Sequence, residues 1–445
     1  MFDQYQSLYD SFRWHVPTQF NIGQECCHRW ANSSVDARRI AVFYENHTGT
    51  REIWTYERLA STANQLANGL TRMGVRQGDR VALITAQRPE ALVTHIACYS
   101  LGAVVVPFAP GLTPQILEQR IRDAEARVAI FDDSAASLML SKLSRYPTLK
   151  QLIGIDVQDD RVLHWRHLLL RQPSTFKAVA TRAADPAILL YEGAVGMLLS
   201  HAALIGSLPA FVASQDWFPH GGDVLWSPIE WFRVEGLLQS LLPTLYFGQS
   251  IVATNETYPV AKVLEMLQRY RVSSACLPAG MLGSLRLNAQ TNALASPLKL
   301  RSITTIGENI PEPVLDWCKQ ALGIAPNETF GVRETGQILG NSHSKWPDRN
   351  GSLGKPYPGH RLAVIDASGF PVKVGETGEI ALNRFDQHGH PDPGLFSGFW
   401  RQPERSTQVF AGDWFKTGVY ARMDEDGYYW RTEPPALADP SKLTD

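Results

Sequence analysis

The sequence predicts an α/β protein of two doubly wound α/β subdomains followed by a small antiparallel β subdomain. Three observations carry this. Amphipathic helices alternate with wholly apolar strands in the first half of the chain, and the same order recurs in the second half. After Trp346 the pattern changes to short strands joined by tight turns. Strands apolar on both sides need both faces of their sheet covered, which is the situation of a parallel sheet flanked by helices. The length agrees: at about 150 residues per domain, 445 residues make about three units. The expected boundaries are 1–185, 186–346 and 347–433, with 434–445 as a fraying tail.

The elements follow in order. Leu59, Ala63, Leu66, Leu70 and Met73 recur at helical spacing, so 56–74 reads as a helix with one buried face, stopped by Gly74. A turn at 76–79 leads into the apolar strand 80–84. Helix 90–101, strand 103–108, helix 114–126 and strand 128–131 continue the alternation. In the second half, helix 260–270 precedes strand 274–277, and strand 300–305 precedes helix 312–322. Strands at 360–365 and 378–382, with a turn at 366–369, open the β subdomain.

Composition excludes several classes. With 42 Lys+Arg against 44 Asp+Glu, 19% charged and 44% hydrophobic residues, the chain is no disordered segment and no basic nucleic-acid binder. Five cysteines (26, 27, 98, 276 and 318) show no C-x-x-C or metal-ligand spacing, as in a reduced cytoplasmic protein. The N-terminus reads as no signal peptide. Residues 193–213 carry no charged side chain and match a bilayer in length. His201, Pro209 and three glycines within them, without aromatic or basic flanks, point instead to a buried strand, loop and helix. Serine-enzyme patterns (S-x-x-K at 342–345, K-T-G at 416–418) lack the S-D-N between them and the helix that the first requires.

A series of motifs resembles the adenylate-forming acyl-CoA synthetases. Trp54-Thr-Tyr opens the first helix, and 75–80 (Val-Arg-Gln-Gly-Asp-Arg) is similar to the family's strand entry. Residues 185–191 (Asp-Pro-Ala-Ile-Leu-Leu-Tyr) and 199–201 (Leu-Ser-His) resemble the flanks of its phosphate loop. Residues 229–231 with 242–248, 307–309 (Gly-Glu-Asn), 330–334 (Phe-Gly-Val-Arg-Glu), 351–356, 375–379 and 412–418 complete the series in order. The resemblance implies a large domain of two α/β subdomains and a β subdomain, then a mobile lid. It implies ATP, Mg2+ and coenzyme A as partners in joining a carboxylate to AMP and passing the acyl group to a thiol.

The resemblance also assigns site residues. Gly193 and Gly196 are remnants of the phosphate loop, Gly307, Glu308 and Asn309 of the adenine side, and Arg333 stands on the phosphate side. Glu334 matches the magnesium ligand, while Trp231, Phe232 and Gly331 are acyl-pocket candidates. Glu334 and His201 are the candidate catalytic groups. Bland readings stand beside these: Glu334 as ion-pair partner of Arg333, His201 as a satisfied strand-end histidine, and the aromatics as core.

The departures are chemical. Where the family has hydroxyls and a lysine around a triphosphate, 191–197 reads Tyr-Glu-Gly-Ala-Val-Gly-Met, shorter and with Glu192 as an added negative charge. From 183 to 232 there is no Lys or Arg. A like-charge pair at 4 Å is worth about 4 kcal/mol at an effective dielectric of 20. Arg333 replaces a threonine and Val419 an aspartate that would accept the ribose hydroxyls. The sequence ends without the family's hinge, lid and lid lysine, so a design lacking the C-terminal lid domain is expected.

Three functions are therefore weighed. The first is a cytoplasmic pseudoenzyme that has lost adenylation and binds an acyl group, an acyl thioester, or a protein such as an active paralogue or carrier protein. The second is ATP-independent acyl transfer or condensation on a pre-activated thioester. The third is a weak acid–thiol ligase with a lid supplied in trans. No cofactor is expected with ATP, AMP, Mg2+ and coenzyme A all in doubt, and neither nucleic acid nor a membrane span is expected. Arg333 is expected to fill the vacated phosphate space beside Glu334 or Glu192.

Overall fold

The computed structural model describes residues 3–434, apart from 47, 142, 256–258, 290–297 and 308. The expected tail from 435 onward and Glu308 lie outside the described residues. Two large sheets and one small one form the scaffold. Among the described residues the first has eight strands, with parallel neighbours Pro186–Glu192, Val104–Phe108, Arg80–Ile84, Val128–Asp132, Gln151–Ile155 and Leu163–His164. Val195–Ser200 and Gly398–Phe399 extend it in antiparallel fashion. The second has nine described strands around a parallel centre, Ile40–Glu45, Ser250–Thr254, Val224–Trp226, Ser274–Cys276, Ser302–Ile306 and Asn327–Val332. The third, built from Leu362–Ile365, Thr377–Asn383, Trp414–Met423 and two short strands, is antiparallel throughout.

Sheet membership does not follow chain order. The hairpin Ile40–Glu45 and Arg51–Thr55 belongs to the second sheet, and Pro186–Glu192 with Val195–Ser200 belongs to the first. The stretch 193–213 is a strand and the helix Ala203–Ser214. Among the described residues no helix is long and apolar enough to cross a membrane.

Helix Tyr56–Arg72 starts where the Thr55 hydroxyl accepts from the Arg58 amide, and it buries Leu59, Ala63, Leu66 and Leu70. Helix Pro89–Leu101 has almost no polar face because it is covered all round, and Gly102 ends it at φ 69°. One buried cluster joins these helices to both large sheets, from Val81 and Val105 of the first to Val42 and Ala253 of the second. Each fully buried Leu or Ile in it contributes about 1.5–3 kcal/mol. The sheets are thereby fixed against each other, and the carboxyl ends of Val104–Phe108 and Pro186–Glu192 open onto the gap between them.

Candidate functional site

Open α/β sheets bind ligands beyond the carboxyl ends of their strands, and a cleft of about 330 Å³ lies there. Its apolar wall includes Phe108, Leu190, Met197 and Phe399. The turn at 333–335, between Asn327–Val332 and Gly336–Gly340, faces it from the second sheet. A larger neighbouring cleft of about 910 Å³ shares Phe232, Arg233 and Glu235 with it and reaches Pro278, Met281, Ile306 and Gly307.

The phosphate-loop segment is a tight hairpin. Glu192 pairs with Val195, leaving Gly193 and Ala194 as a two-residue turn, with Gly193 at φ 55°. Gly196 sits on the return strand, where its carbonyl accepts the Trp400 amide at 2.7 Å. A side chain there would meet Leu189 and Trp400 at 3.0 Å. Arg333 forms an ion pair with Glu192 across the cleft mouth. Of the two expected partners, Arg333 therefore takes Glu192 and not Glu334. Among the described residues Glu334 has no cation within ion-pair distance; its carbonyl accepts the Phe396 amide at 2.7 Å. No group of three His, Cys, Asp or Glu among the described residues is placed to hold a metal. A magnesium ion at Glu334 would have one protein carboxylate, with water or a ligand's oxygens completing its shell.

The lack of Lys and Arg over 183–232 does not carry over to the cleft. Arg120, Arg233, Arg333 and Arg405 all line it, against Glu192, Glu235 and Glu334. No local charge count could find them, because four separate segments bring them in. Arg233 lies 3.6 Å from Glu235. Burial holds the Arg120 guanidinium below its usual range, with the Tyr191 hydroxyl opposing.

The other candidates disperse. His201 is fully buried, away from both clefts; its Nδ1 accepts the Ile22 amide at 3.2 Å, which leaves the proton on Nε2, and that atom has no partner. Burial lowers its pKa to about 4, with Asp185 opposing. It is a neutral packing histidine and not a base at the site. Trp231 is buried at a void of about 10 Å³ beside His95 and Phe108, too small for an acyl chain, so it is core. Phe232 does face both clefts. Gly331 lines neither; a Cβ there would lie 1.8 Å from the Gly336 carbonyl oxygen, so the bulge in that strand pair requires glycine. Asn309 and Gly307 border a void of about 10 Å³ beside Phe330 and Leu353, room for about one water. Val419 packs on the apolar cluster of the third sheet around Phe330 and Ile380, presenting no acceptor to a ribose.

A two-residue turn, an acid at its end and an arginine already paired do not fit a triphosphate with its metal.

The model of the AMP-binding enzyme family matches residues 28–384. The uncharacterized acyl–CoA ligase YtcI of Bacillus subtilis is 27% identical, over 93% of this chain and 76% of that protein. The acetyl-coenzyme A synthetase of Nitrosomonas europaea is 26% identical, over 94% of this chain and 68% of that one. Among solved structures, a Brucella canis acyl-CoA synthetase superposes with a TM-score of 0.86 at 20% identity, covering 97% of this chain and 80% of that one. The N-terminal domain of FACL13 from Mycobacterium tuberculosis gives 0.80 at 23%, covering 93% and 100%. These structures share the fold described above: two parallel-rich sheets with a small antiparallel one.

Proposed function

Because the chain belongs to the AMP-binding enzyme family, we propose that it is an acyl-CoA-synthetase-like protein that has lost ATP-dependent adenylation and binds an acyl-type ligand or a protein partner. The observation that carries this is the hairpin turn at Gly193 and Ala194, closed by the Glu192–Arg333 pair. A triphosphate needs hydroxyls, amides and cations converging on it, and this turn offers two residues next to a carboxylate. Val419 supports the same reading on the ribose side. The larger cleft keeps room for a ligand of ordinary size.

A second reading, acyl transfer on an already activated thioester, draws on Glu334. It lines the smaller cleft with no cation partner among the described residues, as a general base would.

Thermal-shift titration separates the readings. Binding adds RT ln(1 + [L]/Kd) to stability, about 2.7 kcal/mol at a hundredfold excess over Kd. ATP with Mg2+ is expected to leave Tm unchanged, and carboxylate-dependent pyrophosphate exchange to be absent, while a long-chain carboxylate or acyl thioester raises Tm. An ATP-dependent shift together with exchange would overturn the proposal. Turnover of an acyl thioester, abolished by Glu334→Gln, would favour the second reading.

A further inference from the structure

The cleft carries cations that the proposed function does not use. Arg120 enters from helix Pro114–Ala124. Its Nε donates to the Gly193 carbonyl at 2.9 Å, and its guanidinium lies 5.8 Å from the Tyr191 ring centroid. Arg405, on Pro403–Gln408, sits 4.9 Å from the Phe399 ring centroid. Among the described residues neither has a carboxylate within ion-pair distance. Arg333, at the same mouth, holds the Glu192 carboxylate, and their side chains are 39% and 70% exposed.

We propose that Arg120, Arg333 and Arg405 anchor the oxyanion head, carboxylate or phosphate, of a small amphipathic ligand. Its apolar body lies on Phe108, Leu190, Met197 and Phe399, and Glu192 occupies the anchor as an internal competitor when the ligand is absent. This rests on the reading above that the cleft does not take ATP. Guanidinium groups bind carboxylate and phosphate oxygens through paired N–H donors. An exposed ion pair is weak enough to exchange for an incoming anion. The partial desolvation of Arg120, visible in its lowered pKa, favours an anionic partner over none. Glu235 and Glu334 also line the cleft; Glu235 is engaged by Arg233, and four guanidinium groups stand against three carboxylates.

Calorimetric titration of the full chain tests this with octanoate and octyl phosphate, which share a body and differ in head, against sodium chloride at equal ionic strength. ATP and Mg2+ are omitted. At least one amphiphile is expected to bind, and the stronger names the head group. Glu192→Gln should tighten it about tenfold, and Arg120→Gln or Arg405→Gln should weaken it about tenfold, each about 1.4 kcal/mol. Arg405 is exposed, so its variant keeps the test sound if Arg120→Gln fails to fold. Equal affinities in the parent, Glu192→Gln and Arg405→Gln proteins would overturn the proposal, as would no heat beyond the salt control with either amphiphile. Failure of the underlying reading would show separately, as carboxylate-dependent pyrophosphate exchange in the presence of ATP.

Discussion

Arg333 and Glu192 meet across the cleft mouth although 140 residues lie between them in the chain. Glu192 is exposed and Arg333 half-buried, so the Coulomb gain is partly screened and the ordering of two long side chains offsets much of it. A double-mutant cycle of Arg333→Gln and Glu192→Gln, read by urea unfolding, is expected to give a coupling of about 0.2–1 kcal/mol. A coupling above about 2 kcal/mol would make the pair a structural tie between the two large sheets, too firm to yield to a ligand. The sequence made both residues conspicuous, because each departs from a motif. It could not pair them, since that depends on how a hairpin of one sheet faces a turn of the other. Arg120 and Arg405 were harder still. Each lies in an ordinary polar stretch, and only the folded arrangement brings them to one cleft.

Regular elements were far more legible, because each is specified by its own periodicity. Strand 80–84 is where the apolar run placed it, and helix Tyr56–Arg72 buries the face that the spacing marked. The hairpin Ile40–Glu45 and Arg51–Thr55 was not foreseen; its value lies in closing the edge of a sheet whose other strands come some 200 residues later. Backbone-to-backbone approaches were equally invisible. In helix Ala203–Ser214, a Cβ at Gly206 would lie 2.1 Å from the Gly394 nitrogen and 2.7 Å from the Pro393 carbonyl carbon. Neither neighbour is a side chain that can swing away, and the same segment donates the Phe396 amide to the Glu334 carbonyl at the cleft. Gly206→Ala should therefore destabilise by about 3 kcal/mol despite its gain in helix propensity. Gly221→Ala, where the added carbon meets nothing within 4 Å, should stay within about 0.5 kcal/mol. Equal unfolding midpoints for the two variants would show that the loop at 392–396 yields freely.

At the scale of the whole molecule, the joint between the sheets contains three histidines that must stay neutral. All gather around helix Pro89–Leu101: His95 Nδ1 pairs with the Tyr99 hydroxyl at 2.9 Å, His28 Nε2 with the Ser100 hydroxyl at 2.8 Å, and the His201 ring lies edge-on to Tyr99. Burial lowers their pKa values from 6.5 to about 3 for His95 and about 4 for His28 and His201. The sign follows from proton counts. Well above pH 6.5 both folded and unfolded chains carry neutral rings, and these histidines do not make stability depend on pH. As pH falls from 6.5 toward 4 the unfolded chain takes up protons that the folded chain refuses, so stability drops until the folded rings titrate in turn. Each histidine should cost about 2 kcal/mol at pH 5 relative to pH 7. Carboxylates change stability over the same range, so the total slope does not identify the histidines; a difference between proteins does. His95→Gln should shrink the gap in unfolding free energy between pH 7 and pH 5 by about 2 kcal/mol, whatever its own stability at pH 7. If the gap is unchanged, His95 titrates in the fold as it does in water, and the joint between the two sheets admits solvent and charge that its burial would otherwise forbid.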